Sequence, residues 1–295
     1  DAPQGYAPGR GGFEFHVDST ITGAARGLQE RSSLFDSRFF DPDAVSHQDY
    51  VATFSDKSIV VPGTQIPISN HTRPMGVRVE METYNWNFTF TDFMVIVNLR
   101  FHNEGNNTYD DVYTALWNNT VVRNINITPA GAGGSAFYNR GGNGYMDSLH
   151  LAYCYDAAGD LGFTESYIGQ KFLGATDKDG FHHPDLDSNF NPTTGQRELE
   201  DLLVHYNAWV FNDFNADFAF PQTENDRYQK MSDGLNQDPC WDNPSDPNCN
   251  GRNFQAELNL AGNRSDLVSA GPFQNFAPGD VIEVSFAYVF AKKNE

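Results

Sequence analysis

The fold is decided by two neighbouring segments, VRVEMETY at 77–84 and DFMVIVNLRF at 92–101. In the second segment every other side chain is large and apolar, and a period of two puts these side chains on one face of an extended chain. Such a face packs on a core. The segments therefore predict two core strands, with these residues on the buried face of the second: Phe93, Val95, Val97, Leu99 and Phe101.

Segments of the same kind continue on both sides of this pair. Turn-rich loops separate them, and the best helical pattern is ENDRYQKMSDG at 224–234. Strands without intervening helices are typical of packed antiparallel sheets, so we expect an all-β fold, a large antiparallel β-sandwich with long irregular loops. The further expected strands are FEFHV at 13–17, KSIVVPGTQIPI at 57–68, DVYTALW at 111–117, VVRNINI at 121–127, LHLAYCY at 149–155, LLVHYNAWVF at 202–211, QAELNL at 255–260 and VIEVSFAYVF at 281–290.

Three stretches lack this alternation. Residues 1–12 are rich in Gly and Pro and read as a tail or linker, which leaves 13–295 as a single β-sandwich domain. Residues 19–56 are polar, so we expect irregular structure there with one short helix at most. The stretch 129–147 is rich in glycine, and we expect a long surface loop there. A phosphate-binding loop would need a helix that starts directly after the glycines, and none follows.

The charge balance excludes two classes of partner. The chain has 19 Lys and Arg against 39 Asp and Glu, a formal net charge of −20, and this field repels phosphate backbones and anionic lipid headgroups. No run approaches the ~18 consecutive apolar residues of a membrane helix. We therefore expect no nucleic-acid partner and no membrane insertion. The acidic surface is compatible with divalent cations, a saline medium or simple solubility.

The three cysteines are unequal. Cys240 and Cys249 bracket the short loop CWDNPSDPNC, whereas Cys154 lies in an apolar run. The simplest pairing is a Cys240–Cys249 disulfide with Cys154 buried, which favours an exported protein; two reduced thiols in a cytosolic chain are the alternative. Asn-x-Ser/Thr sequons also fit an exported surface, although an Asn-rich chain generates several by chance. They lie at Asn70, Asn87, Asn106, Asn118, Asn126 and Asn263.

Four blocks of the chain, in order, resemble one family. They are 90–117, 151–160 (LAYCYDAAGD), 167–175 (YIGQKFLGA) and 264–291, the last carrying GPF and APGD before a final strand. The blocks resemble a β-sandwich domain of secreted and cell-surface proteins of Bacteroidota and related phyla, many of which use the type IX secretion route. The resemblance implies an extracellular module without known chemistry. The chain ends without an evident sorting domain, which leaves the export route open.

One acidic loop, DKDGFHHPDLDSNFN at 177–191, could bind calcium, which takes six to eight oxygen ligands. It starts like an EF-hand loop, but Phe190 replaces the glycine and Gln196 the bidentate Glu. A solvated acidic loop is the alternative. His182-His183 beside these carboxylates could bind a transition metal, but adjacent residues in a strand face opposite ways, and a simple surface pair is the favoured alternative. Asp156 and Asp160 form a weaker oxygen cluster. The candidate calcium ligands are Asp177, Asp179, Asp185, Asp187 and Asn189, with Asn191 in the same alternation.

Catalytic motifs are missing from the sequence: it has no Gly-x-Ser-x-Gly and no His-Glu-x-x-His. We therefore expect no enzyme and name no catalytic residue, although a glycosidase needs only two carboxylates, which counting cannot exclude. Trp86, Trp117 and Trp209 lie in or beside expected strands and are interpreted as core. Trp241, in the cysteine loop, is the candidate ligand contact.

These features favour a non-catalytic extracellular structural protein, a self-assembling subunit of a surface fibre or layer. A tail like 1–12 is usually disordered unless something holds it, and the sheet edge of a neighbouring copy could accept the following strand. Phe13, Phe15 and Val17 are the candidate subunit contacts. The alternative is a carbohydrate-binding module of a secreted polysaccharide-degrading system.

Overall fold

The structure, a computed structural model, describes residues 12–122, 139–159, 165–186, 202–210 and 218–292. Within these residues the chain forms two antiparallel sheets and few helices, which confirms the all-β fold class. The strands are β1 Gln29–Arg31, β2 Gln48–Ser55, β3 Val77–Asn85, β4 Met94–Asn103, β5 Val112–Asn118, β6 Gly141–Met146, β7 Leu151–Asp156, β8 Ser166–Asp177, β9 Gly180–His182, β10 Leu203–Val210, β11 Arg264–Phe273 and β12 Val281–Lys292. The helices are α1 Glu224–Ser232 and α2 Phe254–Leu258, with 3-10 helices at Gly23–Arg26, Asp147–Leu149 and Leu235–Gln237.

Contacts within the chain define two compact units. Of the described residues, unit 1 comprises 12–112, 173–186 and 273–285, and unit 2 comprises the others. The boundary falls inside β8 and inside β12, so each of these strands contributes one part to each unit. The expectation of a single domain over 13–295 stays a prediction.

Unit 1 is built on the two strands that the sequence indicated most clearly. β3 and β4 pair antiparallel, with Met81 opposite Leu99, in a sheet of order β1-β2-β3-β4-β12-β8 to which β9 adds beside β8. Of the predicted core face of β4, Val97 and Leu99 are buried, whereas Val95 and Phe101 are half-buried. Phe93 is 47% exposed because it precedes the first residue of β4, so its expected place in the core is wrong.

Unit 2 contains two packed layers. β10, β11 and β5 form a separate three-stranded sheet, and β6, β7 and part of β8 form the facing layer. The ring of Tyr145 in β6 stacks on Tyr206 in β10, with centroids 5.1 Å apart. Asp266 of β11 accepts hydrogen bonds from Asn143 of β6 and Gln170 of β8. A sandwich-like arrangement is therefore present within this unit.

The glycine-rich stretch behaves differently from the expected surface loop. Residues 129–138 of it lie outside the described part of the chain, but 141–146 form β6, which is buried for five of its six residues. The glycines are needed because tyrosines of β7 lie over them. A Cβ at Gly144 would come 2.4 Å from the Tyr153 ring, and one at Gly142 would come 2.8 Å from Tyr155 Cζ.

Two further expectations are corrected. QAELNL at 255–260 is not a strand: Asn253 caps the helix α2 by accepting from the Ala256 amide at 2.7 Å, and Phe254 and Leu258 bury one helical face. The polar stretch 19–56 is not merely irregular, because it contains β2. The expected helix at 224–234 is confirmed as α1.

Three of the expected strands, at 13–17, 57–68 and 121–127, do not form regular strands within the described residues. FEFHV at 13–17 forms one isolated bridge, between His16 and Ser55, and the 57–68 segment forms one between Val60 and Pro67. VVRNINI lies outside the described residues from 123 onward. Within the described ranges no helix combines the length and apolar character that crossing a membrane requires.

Candidate functional site

A groove of about 360 Å³ opens on the face of the unit 1 sheet opposite to its apolar face. It combines aromatic rings, aliphatic side chains and a few hydrogen-bonding groups, a composition typical of small-molecule sites. Strands β3, β4, β8 and β12 form its floor. It is lined by Val45, Tyr84, Trp86, Ile96, Leu173, Gly174, Ala175, Thr176, Phe181, Glu283 and Ser285.

Three aromatic side chains line this groove. Tyr84 and Trp86 stand two residues apart at the end of β3, with ring centroids 6.4 Å apart. Phe181 of β9 is 57% exposed. Its ring can lie over β8 because position 174 has no side chain: a Cβ there would come 2.5 Å from Phe181 Cε2. The aromatic wall therefore depends on a glycine.

Glu283 supplies the carboxylate of the groove, and its neighbours hold it in place. Asn98 Nδ2 donates to Glu283 Oε1 at 2.9 Å, and Arg100 Nε donates to Glu283 Oε2 at 3.0 Å. Ser285 Oγ donates to Asn98 Oδ1 at 2.7 Å, which orients that amide. The polar end of the groove is thus ordered before any ligand arrives.

An ion-pair network extends from this carboxylate across the same sheet face. Arg100 Nη2 lies 3.0 Å from Glu82 Oε2, and Arg78 Nε lies 2.6 Å from Glu104 Oε1. Burial raises the pKa of the Glu80 carboxyl, but the hydrogen bond and charge of Arg78 outweigh burial, and the pKa falls below its usual value. The side chains are 13–41% exposed, so solvent screens the pairs only in part.

Tyr84 joins the groove to this network. Its hydroxyl donates to Glu82 Oε2 at 2.5 Å, and its ring is 8% exposed. Burial and then the Glu82 carboxylate raise the pKa of Tyr84 above the usual range, because both disfavour a phenolate. The phenol is therefore neutral at physiological pH.

Apolar side chains continue along the loop that follows Trp86. Phe88 and Phe90 stack with centroids 5.4 Å apart and planes at 4°, and they are 43% and 69% exposed. His47 packs edge-on against Phe88 at 4.8 Å. Contiguous exposed apolar surface can mark an interaction site.

The disulfide loop of unit 2 gives a different result from the one expected for its tryptophan. The Cys240–Cys249 disulfide and the buried thiol of Cys154 are both present. Trp241 is 4% exposed and packs on Tyr206 at 5.7 Å, inside the core. A ligand could not stack on this ring without displacing the loop. A pocket of about 330 Å³ lies beside the disulfide and is lined in part by Arg252 and Phe254.

The acidic loop is described only as far as residue 186, so Asp187, Asn189 and Asn191 lie outside the described residues. Asp177 Oδ1 accepts from the Asp179 amide at 2.8 Å and is 2.9 Å from His182 Nε2, so it holds the β8–β9 turn together. His183 Nδ1 lies 3.5 Å from a carboxylate oxygen of Asp185. Calcium binding here stays a prediction, as does a transition metal at the two histidines.

The other predicted residues are placed as follows. Asp156 is 9% exposed and accepts from the Ala158 amide at 3.0 Å, whereas Asp160 lies outside the described residues. Phe15 and Val17 are each 40% exposed, and Phe15 packs edge-on against Phe54 at 6.3 Å. Phe13 is half-buried.

Comparison with known proteins does not assign this chain to a family. No protein-family model matches this chain, and no curated protein matches it. The resemblance to the surface domain of Bacteroidota therefore stays a prediction, and the groove has to be interpreted from its own chemistry.

Sequence reasoning missed the groove. Three tryptophans, Trp86, Trp117 and Trp209, were interpreted as core. Trp86 instead lines the groove and is half-buried, and Trp117 is 53% exposed. Among these three, Trp209 is the buried one. Glu283 gave no signal, because nothing in the sequence connects it to Asn98, 185 residues away. The available hint was the aromatic density of YNWNFTF at 84–90.

Proposed function

We propose that this chain is a non-catalytic extracellular protein that binds carbohydrate in the groove of unit 1. The observation that carries the proposal is the combination, in one groove, of the exposed ring of Phe181 and the half-buried ring of Trp86 with an oriented carboxylate. A pyranose ring has apolar C–H faces and a rim of hydroxyls. Trp86 and Phe181 offer surfaces for the faces, and Glu283 and Ser285 offer partners for the hydroxyls.

An extracellular location supports this function. The disulfide indicates an oxidising compartment, since such bonds are rare in reducing cytosol. The resemblance to secreted Bacteroidota surface domains points the same way. The charge of −20 favours partners other than nucleic acids.

Calorimetric titration of the protein with a panel of soluble polysaccharides tests the proposal. We expect saturable binding of at least one polymer, weakened roughly tenfold by Trp86→Ala or Phe181→Ala, because a lost stacking contact costs about 1.5 kcal/mol. Phe35→Ala is the matched control: Phe35 is 89% exposed in the same unit but does not line the groove. Absence of binding to every polymer, or an equal loss in the control, would contradict the proposal.

Self-association is a second candidate, favoured by the apolar side chains that residues 13–17 expose at the edge of β2. On this proposal a neighbouring copy covers Phe15 and Val17, and the protein builds a surface fibre or layer. Sedimentation at rising concentration tests it. Phe15→Ser with Val17→Ser should dissociate the assemblies, and Leu28→Ser, at a residue 68% exposed in the same unit, should not. A wild-type monomer at all concentrations would rule this candidate out.

Calcium remains part of the proposal for the loop at 177–191. Binding would stabilise the folded state, so the melting temperature should rise when calcium replaces a chelator. Equal melts under both conditions would show that the carboxylates are only a solvated acidic loop.

A further inference from the structure

We propose that Glu283 recognises two adjacent hydroxyls of a neutral sugar, which makes the ligand a neutral glycan and excludes uronate-rich or sulfated polymers. This inference rests on the proposed carbohydrate function and specifies its ligand class. It starts from the hydrogen bonds that the carboxylate already makes.

A carboxylate has about two acceptor positions on each oxygen. In Glu283 one position on Oε1 is used by Asn98 and one on Oε2 by Arg100. Among the described residues these are the hydrogen-bond donors to Glu283, so each oxygen keeps a second acceptor position. Two neighbouring hydroxyls on a sugar ring can each donate to one oxygen of the same carboxylate. The group is therefore suited to accept from both hydroxyls at once.

The orientation of this carboxylate is fixed by residues behind it. Asn98 is held by Ser285, and Arg100 is held by Glu82 through a 3.0 Å contact. Because both donors are anchored, Glu283 loses little conformational freedom on binding, which favours affinity. Asn98 and Arg100 are thus positioning residues, while Glu283 is the group that contacts the sugar.

The charge of the groove decides between glycan classes. Among its lining residues, Glu283 is the one that is charged at neutral pH, since the Tyr84 phenol has a raised pKa. Arg100 stands between two carboxylates, those of Glu82 and Glu283, so it does not make this end positive. A uronate or sulfate would meet the like charge of Glu283 there, which is only partly offset because Glu283 shares Arg100 with Glu82, and the net charge of −20 adds long-range repulsion.

The test compares neutral polymers (xylan, laminarin, hydroxyethylcellulose) with anionic ones (alginate, polygalacturonate) by calorimetry at low salt. Wild-type protein should bind a neutral polymer and no anionic one. Glu283→Gln should weaken neutral binding roughly tenfold or more, because hydrogen bonds to a charged acceptor are lost. The same change should raise the affinity for anionic polymers relative to neutral ones, since the groove loses its charge.

A second variant, Glu283→Asp, keeps the inference testable if Glu283→Gln does not fold. Glu283→Asp keeps the charge but withdraws the carboxylate by one methylene, so it should also weaken neutral binding while still rejecting anionic polymers. Melting curves establish that each variant is folded. Equal binding of anionic and neutral polymers, or neutral binding that is lost in Trp86→Ala but unchanged in both Glu283 variants, would overturn the inference and leave the carbohydrate function standing. No binding of any polymer would remove both.

Discussion

Gln170 Nε2 donates to Asp266 Oδ1 across 3.0 Å in the interior of unit 2, where the carboxyl is 1% exposed. Asn143 donates to the other oxygen at 3.1 Å. Burial raises the pKa of Asp266 to about 6, and the two amide hydrogen bonds reduce the shift only in part. Gln170 Oε1 has no hydrogen-bond partner among the described residues. A protonated Asp266 could donate to this oxygen if the Gln170 amide turned over.

This carboxyl should make stability depend on pH. Its folded pKa of about 6 lies above the ordinary 3.8, so between these values the folded state binds more protons than the unfolded state. The free energy of unfolding therefore decreases as pH rises from about 4 through 6, by up to about 3 kcal/mol. Asp266→Asn should flatten this decrease and be more stable than wild type at pH 7. Urea unfolding from pH 4 to 7.5 measures both effects.

Asp242→Asn is the control for that comparison, because Asp242 is exposed in the same unit. The carboxyls of Glu80 and Glu104 have lowered pKa values and act in the opposite direction, but they are present in every variant and cancel. A wild-type profile parallel to that of Asp266→Asn over this range would contradict the prediction.

The three cysteines should differ sharply in reactivity. Burial raises the pKa of the Cys154 thiol to about 12, so iodoacetamide should not modify the native protein. Mass spectrometry should detect no adduct on the native protein and three adducts after reduction with unfolding. Replacing Cys240 and Cys249 by Ser should cost about 2–3 kcal/mol, because the disulfide no longer constrains a loop of about ten residues in the unfolded chain. Rapid modification of native, unreduced protein would show that Cys154 is accessible.

Sequence alone predicted the strands whose buried side chains are apolar and lie on one face. β4 has buried Val97 and Leu99 on one face and was found, whereas β2 was missed because its buried side chains include Asp49, Thr53 and Ser55. Those polar groups are satisfied by hydrogen bonds, as when Asp49 accepts from the Val45 amide at 2.7 Å. A period-two pattern of hydrophobicity cannot report burial of this kind.

The groove was beyond sequence reasoning for a different reason. Its parts come from distant segments, and sheet pairing alone brings Trp86 and Glu283 to one face. Charge patterning gave no help either, since Glu283 is one of 39 acids. What distinguishes it is its contact with Asn98 and Arg100, which exists only in the folded chain.

Arg100 should be the ion-pair residue of unit 1 whose loss is most costly. Arg100→Met leaves Glu82, which is 13% exposed, without that cation, so we expect about 2 kcal/mol of destabilisation in urea unfolding. Lys178→Met is the control: its partner Asp179 is 69% exposed, and such surface pairs contribute about 0–1 kcal/mol. Similar losses in both variants would show that the network contributes no more than a surface pair.

Gly174 should control the aromatic wall of the groove. Its φ of +144° is unfavourable for other residues, and a Cβ would collide with Phe181 at 2.5 Å. Gly174→Ala should therefore cost about 1–3 kcal/mol and displace the Phe181 ring, which weakens glycan binding as strongly as Phe181→Ala does. Gly180→Ala separates the two effects: Gly180 has a φ of +130°, but nothing lies within 4 Å of its added Cβ. That variant should lose comparable stability in urea and keep its affinity for the glycan in calorimetry. Equal affinity in both alanine variants would mean that Phe181 does not contact the ligand.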